Sequence, residues 1–130
     1  KVFLTPEVSS ESLFPENPSW GQRLLGRYGE RAIELVNGSS PEERVNLGDT
    51  EFTLAECRWA LQFEAVEHLD DLLLRRTRLG MCLPNGGAEL YPVLQEMCSN
   101  LLGWDEGRWN SELNRYEAIW KKHYSLPSIH

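Results

Sequence analysis

The 130-residue chain lacks most of the features that announce a chemistry. Its three cysteines, Cys57, Cys82 and Cys98, form no Cys-x-x-Cys pair, which argues against a disulfide framework and fits a reducing compartment. Basic residues are outnumbered, 13 Lys and Arg against 20 Asp and Glu, for a net charge of −7. That balance predicts no nucleic-acid partner, which would need a basic footprint, and argues weakly against docking on an anionic membrane. No apolar run approaches the roughly 20 residues of a membrane span. No basic-then-apolar leader opens the chain, and a start at Lys1 reads as a piece of something longer. Sustained period-two alternation is missing, so no substantial sheet is expected. There is no fixed repeat, no Gly-x-Gly-x-x-Gly after a strand and no Walker lysine.

What remains is helical periodicity. Residues 1–18 hold Pro6, Pro15 and Pro18 without a helical period and read as a linker or extended tail. Residues 19–130 read as one compact all-α bundle of about five or six helices. Trp20, Leu24, Leu25 and Tyr28 form one stripe, and Ala32, Ile33, Leu35 and Val36 a second, with Gly29 dividing them. Thr53-Leu54-Ala55-Glu56 fits a capping box. Pro84-Asn85-Gly86-Gly87 is a turn, followed by a helix to about Leu102 that Gly103 ends. Trp104, Asp105 and Trp109 have the spacing of a hydrophobic staple around an N-cap.

The most polarised stretch is Leu69–Gly80, with two acids first, leucines between, three arginines late and glycine last. Helix dipoles favour that order. Winding at about 100° per residue puts Leu69, Leu72, Leu73 and Leu79 on one face, with Arg76 among them. Arg75 and Arg78 fall opposite, Arg75 one turn after Asp71. An inward guanidinium needs a partner, and Glu64, on the inner face of the preceding helix, is the candidate for a structural ion pair with Arg76. The arginine cluster suits a phosphate or an acidic partner, or else a charged helix C-terminus.

No catalytic, cofactor-binding or metal-binding residue stands out. Asp70-Asp71 and Glu42-Glu43 read as solvated acids. His68, His123 and His130 have no metal-ligand spacing. Cys57 and Cys98 read as small core residues, and Cys82 lacks an activating base. Gly86-Gly87 before a helix could admit phosphate, though without the rest of a dinucleotide motif.

Asp70-Asp71-Leu72-Leu73-Leu74-Arg75-Arg76-Thr77-Arg78-Leu79 resembles the Asp-x-Leu-x-Arg-Arg-Thr-Arg-Leu signature in the C-terminal domain of FAD-dependent glycerol-3-phosphate dehydrogenases and alpha-glycerophosphate oxidases. Three further segments resemble that domain in matching order: Arg27-Tyr28-Gly29-Glu30-Arg31-Ala32, Glu56-Cys57-Arg58-Trp59-Ala60 and Leu101-Leu102-Gly103-Trp104-Asp105. The likeness runs from about Trp20 to Tyr124. It departs at His68, where the family has a small residue or Thr, and at Gly80-Met81.

The resemblance implies a parent oxidoreductase of glycerol metabolism, taking sn-glycerol 3-phosphate to dihydroxyacetone phosphate. FAD would belong to the parent and to no residue of this chain. The chain would be an accessory C-terminal domain packed on the FAD-binding catalytic domain of the same protein. Arg75 and Arg78 are the interface candidates. A homodimer, a membrane contact of the parent and a cytoplasmic location, peripheral on the inner face of the membrane, are further expectations. The alternative is a free-standing helical protein-interaction module.

Overall fold

The computed structural model describes residues 17–123, all helix, turn and loop apart from one isolated bridge between Asn46 and Thr53. The chain divides into two compact units at Val45/Asn46. The all-helical expectation holds, with packing organised as two units. The expected tail lies outside the described residues up to residue 16.

In the first unit, α1 spans Pro18–Tyr28 and α2 spans Arg31–Asn37. Pro18 suits the first turn, where its missing N–H costs nothing. The Asn17 side chain caps the helix by accepting from the Trp20 amide at 3.4 Å. Gly29, at φ +60, separates the helices as expected, and Trp20, Leu24, Ala32, Leu35 and Val36 are buried. Arg44 then clamps the end of α2. Its guanidinium donates to the carbonyls of Val36 at 2.9 Å and Ser39 at 2.6 Å. The Val36 carbonyl, in the last turn of α2, also accepts from the Ser39 hydroxyl at 2.7 Å, and a cation suits the negative end of the helix.

The second unit begins with a loop pinned by the Leu47 amide on the Phe52 carbonyl. Helix α3, Leu54–Phe63, carries the expected capping box, with the Thr53 amide donating to Glu56 Oε1 at 3.1 Å. Ala65 at φ +55 turns the chain. A π-helix over Asp71–Arg76 follows, then short α4 at Leu79–Cys82. Asn85, Gly86 and Gly87 run left-handed within the turn Pro84–Leu90. Helix α5, Tyr91–Leu102, carries Pro92 in its first turn and stops at left-handed Gly103. Helix α6 spans Glu106–His123, with Asp105 Oδ1 accepting from the Arg108 amide at 2.7 Å.

The core of this unit gathers Cys57, Leu61, Leu69, Leu72, Leu73, Leu79, Leu94, Met97, Trp109 and Tyr116. All four leucines of the predicted face are buried. Burial pushes the Cys98 thiol up to about 12, with Glu112 adding to the rise and Arg108 opposing it, so this cysteine is an inert core residue.

Gly80 has a different task from the expected one. It lies inside α4 rather than ending a helix, and a Cβ there would collide with the Tyr116 hydroxyl and with Leu74. Tyr116 donates to the Gly86 carbonyl at 2.7 Å, and Trp120 Nε1 donates to the Gly80 carbonyl at 2.8 Å. The glycines let two aromatic rings of α6 reach backbone. This also removes the phosphate reading of Gly86-Gly87, because both are buried and ring atoms occupy the approach to Gly86.

Candidate functional site

The signature stretch separates into a buried acidic end and an exposed basic end. Asp70 and Glu112 are each 5% exposed. Asp70 Oδ1 accepts from Arg115 Nε at 2.9 Å. Glu112 Oε1 accepts from the Leu69 amide at 3.1 Å, and Oε2 accepts from Arg108 Nε at 2.9 Å. His68 Nδ1 lies 3.0 Å from Glu112 Oε2. Arg108 also reaches the Glu67 carbonyl at 2.8 Å and lies over the Trp104 ring. Asp71 Oδ2 accepts from the amides of Glu67 and His68, satisfying the entry turn where His68 replaces a better capping residue.

Position on α6 explains this set. Arg108, Glu112 and Arg115 follow at four- and three-residue spacing, so they share one side of the helix. Desolvation would raise the Glu112 carboxyl, but hydrogen bonds from His68, the Leu69 amide and Arg108 outweigh it and hold the group below its ordinary value. Oxygen and nitrogen atoms of His68, Asp70 and Glu112 lie within 4.8 Å of one another, a spacing that a metal could exploit. Both carboxylates are already engaged by guanidinium groups, so the cluster works as a clasp between α6 and the start of the π-helix.

At the other end, Arg75, Arg76 and Arg78 are all exposed. This corrects the inward placement of Arg76. The winding is the reason: the Thr77 amide donates to the Leu72 carbonyl five residues back, at 3.0 Å. A π turn sets residue i+5 over residue i, so Thr77 completes the leucine face in place of Arg76. Glu64 Oε1 is buried and makes no hydrogen bond. Arg75 stays on the outside, its Nε 3.9 Å from Asp71 Oδ1.

A cavity of about 210 Å³ beside α6 is lined by Tyr91, Tyr116, Glu117 and Trp120, among others. It is smaller than typical ligand pockets of about 300–1,000 Å³. Burial, then the charge and hydrogen bond of Glu117, push the Tyr91 hydroxyl up to about 12. That leaves a neutral phenol near pH 7.

A sequence model of the C-terminal domain of alpha-glycerophosphate oxidase matches residues 10–109. The chain belongs to this family. It is similar to glycerol-3-phosphate dehydrogenase 2 of Mycobacterium bovis and of Mycobacterium tuberculosis, each 26% identical over 100 residues. Those residues make up 75% of this chain and 17% of each relative, so the chain spans a small part of the curated proteins it matches. No solved structure matches. The family match contains the whole signature and ends at Trp109, whereas Glu112, Arg115, Tyr116 and Trp120 lie beyond it. In this chain the Asp70–Arg76 stretch is thus held partly by residues outside the matched segment.

The acidic clasp escaped sequence reading because its halves lie more than 40 residues apart. One local signal was present: Arg108, Glu112 and Arg115 on one side of a helix, opposite in charge to Asp70.

Proposed function

We propose that the chain is the helical accessory domain of an FAD-dependent enzyme that oxidises sn-glycerol 3-phosphate to dihydroxyacetone phosphate. The observation that carries this reading is the family match over residues 10–109. The geometry supports an accessory role. Among the described residues there is no strand–glycine loop–helix unit, and the Gly86 backbone is covered by aromatic side chains, so these residues do not fit a flavin. Their buried charges hold the fold together. Exposed Arg75 and Arg78 are the contacts to the catalytic domain of the same protein, where planar guanidinium groups pair with carboxylates. The parent acts on the cytoplasmic side, peripheral to the membrane. Among the described residues no helix is long and apolar enough to cross one.

The test has two arms. The purified chain should neither bind FAD, read by flavin fluorescence, nor oxidise glycerol 3-phosphate with a dye acceptor. It should associate with the separately produced catalytic domain of its parent in a salt-sensitive manner, and Arg75→Glu/Arg78→Glu should weaken that association. Flavin binding or turnover by the chain alone, or no association, would overturn the reading.

A further inference from the structure

Winding decides which residue completes the leucine face. Leu69, Leu72 and Leu73 are buried, and the place one turn beyond Leu72 goes to residue 76 in an α turn or residue 77 in a π turn. Here Thr77 takes it, 2% exposed. Its hydroxyl donates to the Leu72 carbonyl at 2.8 Å, the same carbonyl that receives its amide. The hydroxyl oxygen also accepts from the Leu79 amide at 3.3 Å, tying the wide turn to the start of α4. A hydroxyl bonded on both sides is readily buried, whereas a guanidinium is not. π turns are rare and concentrate at functional sites. This one ends where three arginines stand exposed within four residues of a chain that is otherwise acidic.

We propose that Thr77 is the positioning residue of the arginine face. Its hydroxyl fixes Asp71–Arg76 in the π winding and so holds Arg75, Arg76 and Arg78 outward, toward a carboxylate-bearing surface of the catalytic domain. The partner rests on the accessory-domain reading above; the winding stands on the geometry alone.

A mutant cycle on the full 130-residue chain, read by thermal melting, tests the winding. Arg76→Leu is introduced beside wild-type Thr77, beside Thr77→Ser, which keeps the hydroxyl, and beside Thr77→Ala, which removes it. With Thr or Ser, Arg76→Leu should not raise the melting midpoint. With Thr77→Ala, Arg76→Leu should raise it by several degrees, because the released turn rewinds and the new leucine takes the inner place. Should Thr77→Ala fail to fold, recovery of a cooperative melt by the double variant is the same result. An equal shift in all three backgrounds, or no recovery, overturns the proposal.

Binding to the catalytic domain tests the presentation. Thr77→Ala should weaken association about tenfold, a loss comparable with that of Arg75→Glu/Arg78→Glu, and Thr77→Ser should not. Weakening by the charge reversal but not by Thr77→Ala overturns the positioning role. Absence of binding by the wild-type chain overturns the partner and the accessory reading, while the melting cycle still decides the winding.

Discussion

At one end of the signature stretch, Asp70 is buried against Arg115, and Glu112 closes over the Leu69 amide. At the other, the Arg75 side chain is 76% exposed, with the nearest Asp71 oxygen at 3.9 Å. Five residues separate Asp70 from Arg76, yet charge does opposite work at the two ends. The acids are placed where water is scarce and each is met by a cation from α6. The arginines are left in water, where ion pairs contribute about 0–1 kcal/mol. A charged motif therefore does not by itself mark a surface. Burial sorts it into a structural half and a half available to a partner.

The contrast breaks most severely at Glu112. Glu112→Ala removes the acceptor for the Leu69 amide, Arg108 and His68 together, and should cost about 2–3 kcal/mol in urea unfolding. A loss under about 0.5 kcal/mol would place the acidic end among ordinary surface charges. Asp70→Ala should cost less, about 1–2 kcal/mol, because the partner it releases, Arg115, is half exposed and can be hydrated.

Acid sharpens the same comparison. The folded-state value of Glu112 lies below its ordinary one. Its contribution is therefore fully present above the unfolded carboxyl value of about 4.3, and it is lost as pH falls through the lower folded value. Glu112→Gln should flatten the fall in melting midpoint across that window. Arg75→Ala should leave the fall unchanged. Identical profiles for Glu112→Gln and the wild type would remove the clasp's electrostatic role.

Local chemistry made much of the fold legible. The Thr53–Glu56 box, the stops at Gly29 and Gly103, and Asp105 capping α6 each depend on neighbours a few residues away. The four leucines were legible because nearly any helical winding buries them. Gly80 was visible as a glycine, but the reason for it was not. Its reason is the Tyr116 ring, which only the tertiary arrangement brings there. The Asp70–Arg115 and Glu112–Leu69 contacts were hidden for the same cause. Arg76 was misplaced for another: a constant advance of about 100° per residue cannot represent a turn that closes at i+5.

The smallest expected effect therefore falls on the residue for which sequence periodicity demands the largest. If the stretch were a uniform α-helix, Arg76→Leu would strand a buried carboxylate and cost about 3–5 kcal/mol. In the π winding, position 76 is exposed, and the substitution should cost no more than the about 1 kcal/mol of a surface charge contact. Leu72→Ala supplies the scale, since that fully buried side chain should cost about 2–5 kcal/mol in the same assay. A small change at 76 beside a large one at 72 places the boundary between core and surface within a single helical turn. A large change at both would return Arg76 to the inner face and remove the basis for an outward arginine surface.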